Sequence, residues 1–284
     1  MKSISSKTKV YSVIGHPISQ SFSPKIHNYL FEKYDIDAVY VSYDVNPDRV
    51  KEGIEGIRHL GIMGTNVTIP HKVNIIKYLD SIDDNAKLIG AVNTIKNKGG
   101  ILKGYNTDGR GFVKSILDKG YDIKNKKVMI IGAGGACRSI AIEMASQGVK
   151  SIEIRNRSLD RANEIIDSIN KNFNTEANCS KDAIDSSCLM DIDILINTTP
   201  IGMESDLCPI DTNIVIDKKL LVCDIVYKPQ NTAFLKWAKK NNLEIIYGID
   251  MLINQALEAF YIWTGINPCN EDFEHIKKLY ENSI

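Results

Sequence analysis

The chain has 284 residues, 43% of them hydrophobic and 25% charged, and its 35 Lys and Arg residues balance 35 Asp and Glu residues. This composition is typical of a globular protein, and the length predicts a sizeable core in two domains of about 100–200 residues each. The charge balance excludes a bulk electrostatic attraction to nucleic acid or to an anionic membrane surface.

Cysteine spacing and hydropathy exclude several further classes of protein. None of the six cysteines stands in a CxxC pair, and the five histidines are equally scattered. We therefore expect free thiols in a reducing cytoplasm, with neither a disulfide framework nor a metal site. The start MKSISSKTKV lacks the apolar region of a signal peptide, and no apolar run reaches the ~18–20 residues of a membrane helix.

Strand-like and helix-like patterns alternate along the chain, which predicts an α/β fold with mainly parallel sheets. In the first half the patterns predict strands at 10–15, 38–45 and 63–69, and helices at 23–34, after Pro47 and at 71–79. A hairpin is predicted at 91–95 and 101–105, followed by a helix at 109–119. The pattern of apolar and polar residues changes near residue 126, so we place the domain boundary between Asp108 and Lys126.

The segment VMIIGAGGACRSIAIEMASQG, which starts at Val128, has the pattern of a buried strand, a glycine turn and a helix. A second strand is predicted at 151–155, whereas the polar segment 172–187 predicts no clear element. Gly132, Gly134 and Gly135 allow a tight turn and let a pyrophosphate approach backbone N–H groups. In this βαβ context the turn predicts a dinucleotide site, with a glycine-rich turn that binds nothing as the alternative.

The loop after the second of these strands discriminates between the two nicotinamide cofactors. An NAD site usually has an acidic residue there for the ribose 2′-OH, whereas a basic residue can hold the 2′-phosphate of NADP. This loop contains Asn156, Arg157, Ser158 and Arg161 and no acid at the strand end. Guanidinium groups pair well with phosphate, so the predicted cofactor is NADP. Solvated surface arginines, paired with Asp160, are the alternative.

Cys137 takes the third small position of the glycine turn. Cysteines at helix N-termini are often reactive because their thiolate form is stabilised there. We therefore expect alkylation of Cys137 to weaken cofactor binding.

Polar side chains lie at predicted strand ends in the first half, where hydride transfer to a substrate would require them. They are Ser19, Ser21, Ser23, Thr68, Lys72, Asn93 and Asp108, and Gln255 lies on the apolar side of a later helix. Several have structural alternatives: Ser23 and Asp108 could cap helices, Asn93 could form a turn, and Gln255 could lie at a core margin. Ser21 has no capping role in this interpretation.

Eight segments match, in order and spacing, the motifs of the shikimate dehydrogenase family, which the chain resembles over essentially its full length. These segments are GHPISQSFSPKIH, NVTIPHK, GAVNTI, GYNTDG, GAGGA, NRS, CDIVY and GIDMLINQA. Gln20 is a departure, because a histidine often precedes the first family serine. The resemblance implies the reversible NADPH-dependent reduction of 3-dehydroshikimate to shikimate, a step towards chorismate and the aromatic amino acids.

The resemblance also implies roles for individual residues. Lys72 and Asp108 resemble the catalytic pair, in which the lysine gives a proton to the developing alkoxide and takes it back in reverse. The implied substrate contacts are Ser21 and Ser23 at the carboxylate, together with Thr68, Lys72, Asn93, Asp108, Tyr227 and Gln255. The implied cofactor contacts are Gly132, Ala133, Gly134, Gly135, Ala136, Asn156, Arg157, Ser158, Arg161, Ile225, Gly248 and Asp84.

The architecture implied by the resemblance is a substrate domain at 1–112, a Rossmann-like NADP-binding domain at 113–249, and C-terminal helices at 250–284 that pack back on the substrate domain. Shikimate and 3-dehydroshikimate are the expected small-molecule partners, with no nucleic acid or membrane, and a homodimer is an alternative to a monomer. A quinate/shikimate dehydrogenase that uses NAD and a non-catalytic NADP-binding sensor are the competing functions. The presence of both Lys72 and Asp108 argues against the sensor.

Overall fold

The computed structural model describes residues 4–283, which divide into two compact units. The first unit contains the chain up to Thr107 and the segment from Gln255 onward, and the second unit is Asp108–Asn254. The C-terminal segment thus returns to the first unit, so the expected α/β fold with this chain path is confirmed. Within residues 4–283, every helix is too short or too polar to cross a membrane.

Alternating strands and helices of the first unit build a six-stranded sheet. They are β1 (Lys9–Gly15), α1 (Ser23–Lys33), β2 (Ala38–Asp44), α2 (Val50–His59), β3 (Gly64–Val67), β4 (Ser81–Ile82), α3 (Asp84–Ile89), β5 (Thr94–Lys98) and β6 (Ile101–Tyr105). The strand order is β2-β1-β3-β5-β6-β4. Strand β1 pairs in parallel with β2 and β3, whereas β5 is antiparallel to β3 and β6. The polar segments after β1 and β3 therefore leave the sheet at one edge.

The second unit contains a fully parallel six-stranded sheet. Its elements are α4 (Asp108–Leu117), β7 (Lys127–Ile131), α5 (Gly135–Ser146), β8 (Ser151–Arg155), α6 (Leu159–Asn172), β9 (Glu176–Ser180), α7 (Ser186–Leu189), β10 (Ile194–Asn197), β11 (Leu221–Asp224), α8 (Ala233–Lys240) and β12 (Glu244–Ile246). The order β12-β11-β10-β7-β8-β9, with every pair parallel, is that of a doubly wound dinucleotide-binding fold. Helix α9 (Gly248–Thr264) then passes from the second unit into the first, and α10 (Asn270–Glu281) follows.

The prediction of a helix at 71–79 is wrong. Only a short 3-10 turn forms there, at Ile76–Tyr78. The carbonyl of Lys72 accepts a hydrogen bond from the Val92 N–H (2.8 Å) instead of continuing a helix. A tertiary contact thus overrides the local helical pattern.

Other boundaries also differ from the sequence prediction. The first strand of the hairpin, predicted at 91–95, lies at Thr94–Lys98. The strand predicted at 63–69 ends at Val67, because a turn closed by the His71 N–H on the Thr68 carbonyl (3.0 Å) follows, with a cis Ile69–Pro70 peptide. The weakly patterned segment 172–187 contains strand β9. The alternation there is weak because β9 is an edge strand with mostly exposed or half-buried residues.

The C-terminal helix α9 packs on the sheet of the first unit through Trp263. Its indole N–H donates to the Ile95 carbonyl (2.9 Å), and its ring lies 5.3 Å from that of Tyr11. A Cβ on Gly64, the first residue of β3, would lie 2.6 Å from Trp263 Cδ1. Glycine is therefore required at the start of this strand so that the indole can cover it.

Helix α10 is held to α1 by the buried carboxylate of Asp272. Lys33 Nζ lies 2.6 Å from its Oδ1, while the Tyr34 hydroxyl (2.6 Å) and the Cys269 N–H (2.8 Å) donate to Oδ2. Burial by itself would raise the pKa of Asp272, but the hydrogen bonds from Lys33 and Tyr34 outweigh it and lower the pKa. The charged form is thus favoured in the folded state.

Because the pKa of Asp272 is lowered in the folded state, we expect the protein to lose stability at acidic pH. Because the folded pKa lies below the unfolded value of ~3.9, the contribution of Asp272 is complete above that value and is lost as the pH falls through the folded pKa. We expect Asp272→Asn to lower the free energy of unfolding at pH 7 by about 1–3 kcal/mol and to flatten the acid limb below about pH 4. Urea unfolding across pH 2–7 measures this, with Glu274→Gln on the exposed face of α10 as the control. Parallel acid limbs for wild type and Asp272→Asn would contradict it.

Candidate functional site

The glycine turn after β7 requires glycine at Gly132 for two independent reasons. Its φ is +103°, a backbone conformation that side chains disfavour, and a Cβ would lie 2.8 Å from Thr198 Oγ1. The Gly132 N–H donates to the Arg155 carbonyl (2.8 Å), which joins the ends of β7 and β8. The turn is therefore packed between the loops that follow β8 and β10.

The N-terminus of α5 faces open space. Its N-cap residue is Gly134, and no side chain caps this end. A Cβ added at Gly134 or Gly135 would have no neighbouring atom within 4 Å. The first N–H groups of a helix lack intrahelical partners and attract anions. These residues therefore fit a pyrophosphate group, as the sequence predicted.

A cavity of about 610 Å³ lies at the carboxyl ends of β7, β8, β9 and β10 in the second unit. Of the predicted cofactor residues it brings together Gly132, Ala133, Gly134, Asn156, Arg157 and Arg161. Gly135, Ala136 and Ser158 do not line it. Ser158 is the N-cap of α6, and its carbonyl accepts a hydrogen bond from Asn156 Nδ2 (2.6 Å).

Sequence reasoning missed the loops after β9 and β10. These loops contribute Lys181, Asp182, Thr198, Thr199 and Pro200 to the cavity lining. The signal was present in the sequence, because ligands of parallel α/β sheets bind outside the carboxyl ends of several strands. The NTTP run after the apolar stretch 194–196 marks such an end.

Arg157 and Arg161 are exposed and have neither a salt bridge nor a side-chain hydrogen bond in the part of the chain that the structure describes. Asp160, the acid suggested as their partner, pairs with neither of them. Two guanidinium groups on one cavity rim, neither of them paired with an acid of the described residues, fit a phosphate monoester.

The segment after β11 is anchored by a buried carboxylate. Asp224 accepts hydrogen bonds from the Thr232 hydroxyl (2.6 Å), the Val226 N–H (3.0 Å) and Asn197 Nδ2 (3.0 Å), and burial raises its pKa. Tyr227 follows and is half-buried, which raises the pKa of its hydroxyl. This anchoring fixes where the segment leaves the sheet.

The two residues predicted near the nicotinamide lie against each other. A Cβ on Gly248, the first residue of α9, would lie 2.5 Å from the Ile225 carbonyl oxygen. The helix start thus packs directly on the segment after β11, and only glycine permits that approach.

Cys137 does not have the reactivity expected from its position. Its side chain is fully buried, and this burial raises the pKa of the thiol to about 12. A thiol that is both neutral and inaccessible is not a target for alkylating agents, so that expectation is wrong. The prediction of free thiols is confirmed for all six cysteines.

At the start of α1, the structure overturns the capping interpretation of Ser23. The N-cap is Phe22, no side chain caps the helix, and Ser23 is its first residue. The Ser23 side chain instead acts on the buried Tyr40: burial raises the pKa of the Tyr40 hydroxyl, and the interaction with Ser23 lowers it in part. Ser21 does have a local role, since its Oγ accepts a weak hydrogen bond from the Ser23 N–H (3.4 Å). Both serines are half-buried.

Thr68 and Lys72 leave the edge of the first sheet in a fixed backbone. The Thr68 N–H donates to the Ile14 carbonyl (3.0 Å), and the Lys72 carbonyl accepts from Val92 (2.8 Å). Between them, His71 Nε2 bonds the Val45 carbonyl (2.7 Å). The half-buried Lys72 side chain therefore starts from a backbone held by three neighbouring segments.

A buried polar network joins Asn93 to Gln255, which are far apart in sequence. Asn93 Oδ1 accepts from the Thr107 N–H (2.8 Å), and Asn93 Nδ2 donates to Thr107 Oγ1 (3.0 Å). Thr107 Oγ1 lies 3.5 Å from Gln255 Oε1. Sequence reasoning did not identify Thr107, although it precedes Asp108 in the GYNTDG motif.

Asp108 and Asp84 occupy different environments. Asp108 is buried and is the first residue of α4, so it lies within the helix and does not precede it as a cap. Asp84 is exposed in α3 and pairs with Lys87 (2.7 Å), a hydrogen bond that lowers the pKa of the carboxyl. Asp84 is not part of the cavity lining in the second unit.

Three family models match this chain. Their descriptions are shikimate dehydrogenase substrate binding domain at residues 13–95, shikimate/quinate 5-dehydrogenase at 112–225, and shikimate 5′-dehydrogenase C-terminal domain at 248–268. The shikimate dehydrogenase (NADP(+)) of Caldanaerobacter subterraneus subsp. tengcongensis is 44% identical over 265 residues, which covers 92% of this chain and 94% of that protein.

The chain is also similar to solved structures, of which two are described. The Listeria monocytogenes shikimate 5-dehydrogenase in complex with shikimate and NAD has a TM-score of 0.91 and 33% identity, and 99% of each chain is covered. A shikimate dehydrogenase in complex with NADP+ has a TM-score of 0.87 and 42% identity, with 96% of each chain covered.

Proposed function

This chain belongs to the shikimate dehydrogenase family, and from that premise we propose that it interconverts 3-dehydroshikimate and shikimate with NADPH and NADP. As a member of this family, it is an oxidoreductase of aromatic amino acid biosynthesis. The observation that carries the cofactor assignment is one cavity lined by Gly132, Arg157 and Arg161, in which neither arginine is paired with an acid of residues 4–283. An NAD site would place a carboxylate there.

The cofactor contacts proposed for the second unit follow from that rim. The pyrophosphate binds N–H groups of the turn from Gly132 to Ala136, and Arg157 and Arg161 hold the 2′-phosphate with Asn156 and Ser158 beside them. Ile225 and Gly248 border the nicotinamide. Asp84 stays a weaker proposal, because its carboxylate is already paired with Lys87.

The substrate contacts proposed for the first unit use its strand-end polar groups. Ser21 and Ser23 hold the carboxylate, and Thr68, Asn93 and Gln255 hold ring hydroxyls. The rigid Asn93–Thr107 network supports this, because a preorganised amide binds hydroxyls without a further ordering cost. Tyr227 and Asp108 are the remaining proposed substrate contacts. We propose 1–112, 113–249 and 250–284 as the corresponding functional segments.

The proposed mechanism places proton transfer on Lys72. NADPH held by the glycine turn and the basic loop would supply a hydride to the ketone carbon, and negative charge would then develop on the oxygen. The Lys72 ammonium donates a proton to that oxygen, and in the reverse direction the neutral amine accepts it. Asp108 hydrogen-bonds the substrate hydroxyl and orients Lys72.

Initial rates at the NADPH absorbance band test this function, with shikimate or quinate each paired with NADP or NAD. We expect fast turnover with shikimate and NADP, and at least tenfold lower kcat/KM for the other three pairs. Efficient use of quinate or NAD would instead place the protein in the broader quinate/shikimate group. That alternative is supported by the NAD bound in the Listeria structure. NADP binding without any turnover would identify a sensor.

Two properties outside the site complete the proposal. Six free cysteines fit a reducing cytoplasm. The oligomeric state is either a monomer or a homodimer, and sedimentation at micromolar concentration separates the two.

A further inference from the structure

The loop that follows β9 leaves the second sheet beside the loop that follows β8. The two strands pair in parallel as far as Arg155 and Ser180, and the Asn156 N–H then donates to the Ser180 carbonyl (3.1 Å). Paired strands lie about 4.8 Å apart, so Lys181 is a direct neighbour of Asn156. A lysine thus stands next to the loop that contains the phosphate-binding arginines of the proposed function.

The backbone around Lys181 is held on both sides. Arg155 Nη1 donates to Ser180 Oγ (3.3 Å) and to the Asp182 carbonyl (3.3 Å), and Arg155 is itself paired with Glu153 (2.7 Å). The Asp182 N–H donates to Ser180 Oγ (3.0 Å). Lys181 therefore projects from an ordered turn, which lowers the entropic cost of placing its ammonium group.

The ammonium group of Lys181 is not paired with an acid in the part of the chain that the structure describes. Its side chain is exposed, lines the same cavity as Arg157 and Arg161, and forms no salt bridge within residues 4–283. Asp182 is the acid of this rim, and its Oδ2 accepts a hydrogen bond from the Ser180 hydroxyl (2.6 Å). The rim thus presents four cationic side chains and one carboxylate, and one of the four, Arg155, is already paired with Glu153.

A phosphate monoester carries a charge of about −1.5 to −2 at pH 7 and has three acceptor oxygens. One guanidinium binds two of these oxygens in a planar fork, whereas an ammonium acts as a compact point charge that needs no such plane. A lysine on the neighbouring loop of the rim therefore complements two arginines at a dianion.

From this arrangement we infer that Lys181 binds the 2′-phosphate of NADP as a third cation and is a determinant of the preference for NADP over NAD. The inference rests on the proposed function and deepens it, because it assigns part of the specificity to the loop after β9. Arg155 acts on this contact only as a positioning residue.

Equilibrium binding by calorimetry tests the inference with NADP and NAD as probes. Lys181→Ala is expected to raise the Kd for NADP about fivefold, as for an exposed charge pair, and to change the Kd for NAD less than twofold. Lys181→Arg should restore NADP binding to within about twofold. Lys171→Ala, an exposed lysine of α6 outside the cavity, is the matched control and should leave both Kd values unchanged.

Failure of this inference and failure of the proposed function give different experimental results. A Kd for NADP unchanged in Lys181→Ala, or equal losses for NADP and NAD, overturns this inference while shikimate turnover by the wild type leaves the proposed function standing. Wild-type protein that does not bind NADP overturns both.

Discussion

Replacing Lys72 with alanine is expected to lower kcat for shikimate oxidation about a thousandfold. A positioned general acid or base typically contributes 10²–10⁴ in rate, and in this variant no other proposed group transfers the proton. The Kd for NADP should stay within about twofold of wild type, because Lys72 is not among the proposed cofactor contacts. Steady-state rates and calorimetric titration with NADP measure the two quantities.

Three controls separate a chemical role of Lys72 from a structural one. Lys77→Ala removes an exposed lysine from the same segment and should leave kcat within twofold of wild type. Small primary amines added to Lys72→Ala should restore part of the rate, since they replace the missing proton carrier. Asp108→Asn combined with Lys72→Ala should be little slower than Lys72→Ala alone if the two residues act as a unit.

Lys72→Ala that retains more than a tenth of the wild-type kcat would contradict the assignment. A loss that added amines do not relieve, together with a lower melting temperature, would mean that the lysine is structural.

Replacing Gly132 with alanine is expected to raise the Kd for NADP by about 10- to 100-fold and to lower the melting temperature by several degrees. A non-glycine residue held at an unfavourable backbone conformation costs of the order of 1–3 kcal/mol. The new methyl group would also press on Thr198, whose hydroxyl donates to the Ile131 carbonyl (2.7 Å). Either relaxation moves the turn that the pyrophosphate contacts.

Gly56→Ala is the matched control for Gly132→Ala. Gly56 lies in α2, has no atom within 4 Å of an added Cβ, and is not among the glycines with positive φ. Alanine there should leave NADP binding unchanged and stabilise the helix by about 0.5–1 kcal/mol. Thermal unfolding and NADP titration of both variants decide the matter. An unchanged Kd and melting temperature for Gly132→Ala would show that the turn tolerates a side chain.

Much of the cofactor site could be predicted from the sequence because its signals are local. An apolar strand, three glycines and a helix follow one another within residues 128–146. The loop from Asn156 to Arg161, which has two arginines and no acid at the strand end, comes directly after the next strand. The glycine turn and the basic loop can be identified without knowing which strands pair. The fold class followed from the same alternation of strands and helices.

Other features depended on contacts that a local pattern does not contain. The helical pattern at 71–79 lost to the hydrogen bond between Val92 and Lys72. The reactivity expected of Cys137 was wrong because the packing of α5 buries the thiol completely. In both cases burial or pairing across the chain changed the outcome.

The sequence by itself determined the family, the fold class, the glycine turn and the basic loop of this protein, because each is written in residues close together along the chain. Only the tertiary structure decided that Thr107 joins Asn93 to Gln255, that Trp263 covers Gly64, and that Lys181 stands beside Asn156. The physical reason is that these neighbours are brought together by strand pairing and core packing, which act between residues 14 to 199 positions apart along the chain.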